Sequence, residues 1–357
     1  MRFVMKRSYR EDIQLFKYRS TFFWYLALIA GLVAMPAISD EYILSQLGFI
    51  CVYAVGAVGL MLLTGYTGQI SLGHAAFLAI GAYTSAILTA KGVPFVFALF
   101  AAGIVAAAAG IVVGLPALRL SGLYLAIATM GFGFIIEEIL ARWESLTGGH
   151  RGFYVDPASI GPIVFDTEAR FYYLALTVLI LTVLVARNVM RSPTGRALIA
   201  VRDSEVAAQA MGISLAWYKT IAFALSSFFA GLAGSLYAHK ITFINPESFT
   251  RLVSIEFLAI IVIGGLGSLH GAVYGTAFII FLPQLIGFTK GYLPEHLSDH
   301  PGLEPAVYGL MIVLFILFEP MGLYGRWLKV KYYFEMFPLY KKDTFRREKK
   351  YQKVERQ

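Results

Sequence analysis

Residues 42–64 read YILSQLGFICVYAVGAVGLMLLT, 23 positions without a single formal charge. A helix needs about 20 predominantly apolar residues to cross the ~30 Å hydrocarbon core of a bilayer, and this run meets that length. The pattern recurs along the chain. Sparsely charged runs also occupy roughly 21–39, 70–90, 94–118, 122–141, 171–190, 219–238, 254–268, 272–290 and 305–320. Of 357 residues, 58% are hydrophobic and 15% charged, whereas soluble domains run near 45–50% apolar and about 25% charged. The sequence therefore predicts an all-α, polytopic membrane protein with about 10 transmembrane helices, or eight if two short runs are re-entrant. The single cysteine, Cys51, lies inside the first-quoted run, which excludes an intrachain disulfide framework and a CxxC metal or redox motif. The run at 21–39 is long and no clean A-x-A site follows it, so it is expected to be retained as a span rather than cleaved as a signal peptide.

The loop charges set an orientation. Ten spans place both termini on one side. Lys and Arg are retained on the cytoplasmic side of short loops. Arg2, Lys6, Arg7, Arg10, Lys17 and Arg19 precede the first span, and a dense basic tail from Arg326 to Arg356 follows the last. Threading from there also puts Arg119, Arg187, Arg191, Arg196, Arg202 and Lys219 inside, so 23 of the 30 basic residues share the cytoplasmic side. The expected organisation is a cytoplasmic basic segment 1–20, a transmembrane domain 21–325 and a cytoplasmic basic tail 326–357, the tail attracted to anionic membrane lipid. The net charge of +8 resides in these flanks and forms no solvated aromatic patch, which argues against nucleic acid. The largest external loop, 142–170, is broken into turns by Gly148, Gly149, Gly152, Pro157, Gly161 and Pro162.

One cytoplasmic loop is unusual. Residues 195–219 read GRALIAVRDSEVAAQAMGISLAWYK. Asp203 or Ser204 can cap a helix with a side-chain oxygen. Glu205 then stands in the first turn, where the helix dipole favours an anion. Ala207, Ala208 and Ala210 are strong helix formers, and Gly212 suits a left-handed C-terminal position. The product is a helix of about two turns, too short to be stable alone in water. It either lies on the membrane as a connector or docks against another protein.

EVAAQAMG, residues 205–212, resembles the EAA loop of ABC-transporter permeases. The wider run GRALIAVRDSEVAAQAMGI is similar to branched-chain amino-acid permeases of the LivM type. So are GYTGQISLGHAAFLAIGAY (65–83), SGLYLAIATMGFGFI (121–135), LTGGHRGF (146–153), FFAGLAGSLYA (228–238) and IVIGGLGSLHGAVYGT (261–276). The resemblance covers about residues 45–320. It implies the permease subunit of an ATP-driven importer of branched-chain amino acids in the inner (cytoplasmic) membrane. It further implies a second permease subunit, two ATP-binding subunits and an extracytoplasmic solute-binding protein. The EAA positions carried over are Glu205, Ala207, Ala208 and Gly212, with one residue inserted after the Glu. Urea or short amides are alternative cargoes, and an ion-coupled secondary transporter is the rival class. The chain has no Gly-Lys dipeptide and hence no GxxxxGK[ST] phosphate loop. No cofactor is expected on this chain, ATP being used by the partner subunit, and no catalysis is expected.

Two glycine-rich breaks interrupt the apolar runs. Gly65, Gly68 and Gly73 surround Gln69, Ser71 and His74; Gly264, Gly265 and Gly267 surround Ser268, with His270 and Gly271 close behind. They are either tight cytoplasmic hairpins or broken helices along the translocation path, because unwound backbone at membrane depth is tolerated only when buried in protein or facing water. Gly267, Gly271 and Gly275 also have the spacing that permits close helix packing. Among charged residues, Glu137, Glu138 and Glu256 fall near external span ends. His296 and His300 have an i, i+4 spacing that can ligate zinc, but no third ligand accompanies them, and no metal site is expected.

Overall fold

A computed structural model describes residues 19–117, 120, 122–290, 303–319 and 321–336. Arg2, Lys6, Arg7, Arg10, Lys17, Arg119, the His296/His300 pair and the tail from 337 lie outside the described residues. The fold is helical. Helices α1 (Arg19–Ile38), α2 (Glu41–Leu60), α3 (His74–Ala90), α4 (Phe95–Ala117) and α5 (Leu123–Arg142) form the first half. A short α6 (Glu144–Thr147) and α7 (Glu168–Arg191) lead to two connector helices, α8 (Pro193–Asp203) and α9 (Glu205–Ala210). Then come α10 (Leu215–Ile241), α11 (Arg251–Gly264), α12 (Leu269–Lys290), α13 (Leu303–Phe318) and α14 (Gly322–Met336).

Each of the ten predicted apolar runs forms a helix. Among the described residues, five helical segments are long and apolar enough to cross a membrane alone: Glu41–Tyr66, Phe95–Pro116, Leu123–Arg142, Glu168–Arg191 and Leu215–Ile241. Pro246–Gly264 and Leu269–Gln284 meet the same test only together, bent by 119° at the second glycine-rich break. Phe22–Ile38 and His74–Ala90 are apolar but shorter.

Helices α2 and α10 form the centre. In lipid there is no hydrophobic drive between helices, so tight contacts rely on small residues that let backbones approach. A Cβ on Gly81 of α3 would lie 2.2 Å from the Gly231 carbonyl oxygen of α10, and one on Gly234 would lie 1.9 Å from the Leu78 carbonyl oxygen. Helices α11 and α12 meet the same way, where a Cβ on Gly264 would lie 2.0 Å from the Gly271 carbonyl oxygen. By contrast, α1, α4 and α5 leave Phe23, Phe97, Val112 and Leu123 about two-thirds or more exposed, as suits contact with lipid or another subunit.

Residues 143–168 contain more than turns. Phe153–Tyr154 (β1) pairs antiparallel with Phe243–Ile244 (β4), which follows α10, and Ser159–Ile160 (β2) pairs with Ile163–Val164 (β3). Gly148, Gly149, Gly152 and Gly161 all take positive φ, as turn residues do. His239, buried near the end of α10, reaches the Asp156 carbonyl at 2.7 Å and Ser85 at 3.1 Å. Lys240, also buried, is paired with Glu168. This loop end lies opposite the end that holds the connector helices. Helix α14 was not expected. It runs through the 325/326 boundary and packs beneath the second break, where a Cβ on Gly265 would lie 2.4 Å from the Met321 carbonyl oxygen.

Candidate coupling and translocation site

The site grows from the end of α2. The helix does not stop at Leu60 but widens into a π-turn over Met61–Tyr66, a local distortion frequent at functional sites. Thr67 Oγ1 donates to the Leu62 carbonyl (2.9 Å), and Thr64 Oγ1 donates to the Gln69 carbonyl (3.0 Å). The chain then reverses and runs without helix from Gly68 to Gly73. It returns deep into the bundle, because His74 Nε2 lies 3.0 Å from the Gly56 carbonyl oxygen. Gly56 is ten residues before Tyr66, about 15 Å back along the helix axis at 1.5 Å per residue. Ser71 and His74 are fully buried and Gln69 nearly so.

Side chains hold the unwound backbone. Leu72 N–H donates to Thr129 Oγ1 of α5 (3.0 Å), and Ala75 N–H donates to Ser254 Oγ of α11 (3.0 Å). Gly73 is required by proximity, since a Cβ there would lie 2.2 Å from the Thr129 carbonyl oxygen. Three polar atoms are left over. Neither amide atom of Gln69 has a protein partner, nor does His74 Nδ1. A carbonyl only accepts, so His74 Nε2 carries a proton. Buried polar groups without protein partners are rare, and here they gather on the non-helical stretch and the first residue of α3.

The two breaks, 200 residues apart in sequence, touch. Gly267 N–H lies 3.2 Å from Met61 Sδ, and a Cβ on Gly65 would lie 2.8 Å from Gly267 N. The connector joins them. Arg202, on the last turn of α8, donates from Nη1 to the Gly65 carbonyl (3.1 Å), while its Nε and Nη2 bind Asp203 Oδ1 (3.1 and 3.0 Å). The same Nη1 would lie 3.3 Å from a Cβ on Gly267. Ser268 is buried beside this junction, and its Oγ accepts from Gly271 N–H (3.3 Å).

The short helix is built by local chemistry. Ser204 rather than Asp203 caps α9, its Oγ accepting from Ala207 N–H (3.2 Å), and Gly212 ends it at φ +82°. Preceding it, α8 begins at Ser192 with Pro193 in the first turn, a cap-and-proline start that the sequence carries. Glu205 does more than face the helix dipole. Lys219 Nζ donates to it (2.8 Å) from the base of α10, with the Lys219 side chain only 4% exposed and the Glu205 side chain 45% exposed. Ala208 is buried, whereas Val206 and Met211 are 80% and 84% exposed. In the sequence Arg202 and Lys219 stand out only as orientation charges, and nothing singles out Thr129 or Ser254. Thr129, Ser254 and Arg202 meet main-chain atoms 57 to 179 positions away, and Lys219 meets Glu205 across 14 positions and a break between two helices, so no local pattern marks them.

A helical bundle with buried non-helical backbone and a short helix seated on one end is a multi-pass membrane protein of the permease kind. The family model described as "Branched-chain amino acid transport system / permease component" matches residues 42–317, and the chain belongs to that family, a transport component and not an enzyme. It is similar to the high-affinity branched-chain amino acid transport system permease protein LivM of Salmonella typhimurium and to that of Escherichia coli. Each is 33% identical over 326 residues, covering 84% of this chain and 73% of the relative. The LivH permease protein of the corresponding Salmonella typhimurium system is 25% identical over 299 residues, covering 77% of this chain and 91% of that protein. No solved structure matches.

Proposed function

We propose that this chain is the membrane-spanning permease subunit of an ATP-driven importer for branched-chain amino acids. It makes ten passages through the inner membrane with both termini cytoplasmic. It works with a second permease subunit, as the coexistence of LivM and LivH relatives supports, with two ATP-binding subunits and with an extracytoplasmic solute-binding protein. ATP binding draws the nucleotide subunits together, and their movement enters through residues 203–213. The exposed Val206 and Met211 on that segment are apolar surface that a partner would cover. Alternating access follows as the broken helices shift, with Gln69 and His74 offering polar atoms to the passing solute.

The observation that carries this mechanism is the Arg202 clasp. One guanidinium, three residues before α9, ties the connector to the Gly65 carbonyl and stands against Gly267, so a push on α9 reaches both breaks through one side chain. The test is the tagged chain purified in mild detergent from its host and reconstituted with whatever accompanies it. Co-purification of an ATPase and a second polytopic subunit, with leucine uptake abolished by vanadate and indifferent to an uncoupler, is expected. A chain that is isolated alone and still transports would overturn the proposal. Gly212→Asp sharpens it. A Cβ there meets nothing within 4 Å in this chain, and Asp tolerates positive φ better than most residues. Loss of transport with normal insertion therefore reports a partner surface.

A further inference from the structure

Helix α14 has two parts. Its first turn is anchored in the second glycine-rich break. Gly322 takes φ +61°, and a Cβ on it would lie 2.6 Å from both Gly265 N and the Ile263 carbonyl oxygen. Tyr324 Cβ lies 3.3 Å from where a Cβ on Gly265 would stand. The Tyr324 ring stacks on the His270 ring of α12, with 5.9 Å between centroids and 7° between planes. His270 Nε2 in turn lies 2.6 Å from the Tyr25 hydroxyl of α1. Beyond Gly325 the helix leaves the bundle. Arg326, Trp327 and every residue from Lys329 to Phe334 are exposed.

The exposed part has the make-up of an interfacial helix. Trp327, Val330 and Phe334 are 53%, 48% and 74% exposed, and their i, i+3, i+7 spacing sets them on one face. Leu323, one turn earlier on the same face, packs against the bundle, so the apolar face runs off the protein rather than stopping at its edge. A soluble surface seldom carries such a patch unless something covers it. Lipid is the cover that the charges favour. Residues 326–357 hold eleven Lys and Arg against four Asp and Glu, so +7 of the chain's net +8 stands from Arg326 onward. Arg326 and Lys329 share Glu319 but keep 69% and 59% of their side chains exposed. Trp and Tyr concentrate at membrane–water interfaces, and Lys and Arg beside an apolar helix face draw anionic headgroups. Helix α13 ends at Phe318, four positions before α14 begins, so α14 starts where an apolar segment leaves the bilayer.

We propose that α14 binds anionic phospholipid on the connector side of the membrane and passes that occupancy to the second break. Trp327, Val330 and Phe334 enter the interface, the basic residues meet headgroup phosphates, and Met321 and Tyr324 shift against Gly265 and His270. Lipid then bears on the same break that the Arg202 clasp holds, an input separate from α9 and independent of the cargo. The test uses the full chain in nanodiscs of phosphatidylcholine alone and of an equal mixture with phosphatidylglycerol. Val330→Cys carries a polarity-sensitive maleimide dye, Cys51 being buried, and amide exchange is followed over residues 264–272. The mixture should shift the dye emission to the blue and slow exchange at the break. Raising the ionic strength to about 1 M, where charges are screened beyond about 3 Å, should reverse both. Tyr324→Ala should keep the blue shift and lose the exchange response, whereas Trp327→Ser/Phe334→Ser should lose both. Equal emission in the two compositions would overturn the anionic-lipid assignment. A blue shift that appears only when co-purified subunits are added would overturn it too, and give the face to a protein partner. A blue shift with exchange unchanged over 264–272 would refute transmission to the break.

Discussion

Removing the Glu205 carboxylate should loosen the connector helix from the bundle, and the size of the effect follows from who is buried. Lys219 keeps only 4% of its side chain exposed, whereas Glu205 keeps 45%. Glu205→Gln therefore strands an ammonium in protein while costing the glutamate itself little solvation. Breaking a fully buried pair costs about 3–5 kcal/mol, and an exposed pair contributes roughly 0–1 kcal/mol. This half-buried pair belongs between them, at about 2–3 kcal/mol. At ~1.4 kcal/mol per tenfold, that is roughly a 30- to 150-fold shift toward the undocked helix. Lys219→Met keeps the apolar stem without the charge. The double variant Glu205→Gln/Lys219→Met should therefore be more stable than Glu205→Gln alone. The assay is a double-mutant cycle on unfolding of the purified protein in detergent, with protease accessibility of residues 203–213 read in parallel. Were Glu205 acting only through the helix dipole, the cost would be about 0.3–1 kcal/mol and the two substitutions would be additive. Additivity within about 0.5 kcal/mol would refute the ion-pair account.

Other expectations follow from single contacts. Arg202→Met removes a charged donor from the Gly65 carbonyl, worth about 1–2 kcal/mol for a half-exposed guanidinium; it should leave the subunit assembled but drop transport per ATP hydrolysed, and unchanged coupling would show the clasp to be idle. Gly234→Ala forces a methyl to within 1.9 Å of the Leu78 carbonyl oxygen, so α3 and α10 must part, at roughly 1–3 kcal/mol or more; denaturant unfolding in detergent micelles measures it, and a neutral result would mean the helices are further apart than described. Below α13, Glu319 meets Lys329 Nζ at 2.5 Å and Arg326 Nε at 3.2 Å; Glu319→Gln should release this contact and speed proteolysis of the 319–336 segment, and unchanged cleavage would show the pair to be idle.

What the sequence disclosed was whatever local chemistry governs. Sparsely charged apolar runs became helices at all ten positions, and Ser204 and Gly212 bound the short helix where cap chemistry puts them. Proline after serine at 192–193 announced α8, although only the shorter helix was expected in that loop. The depth of the first break was not legible. Glycines and small polar residues at 65–74 suit a surface hairpin as well as a re-entrant segment, and only the His74–Gly56 contact distinguishes them. Arg202 illustrates the same limit. Its partner is a main-chain oxygen 137 positions away, and main-chain atoms leave no trace in composition.

Helix α10 has 27 residues, Leu215–Ile241, without a proline, about 40 Å from end to end at 1.5 Å per residue. Near its loop end His239 grips the segment that precedes α7 and Lys240 the first residue of α7, and at its other end Lys219 holds Glu205. It is a pushrod with a grip at each end. On the orientation proposed above, a load on residues 153–168 would travel along this rod to the seat of the connector helix, and a stroke on that helix would return by the same path. Loading and power would then share one mechanical element, so a kink built into α10 by Leu225→Pro should silence the conversation in both directions.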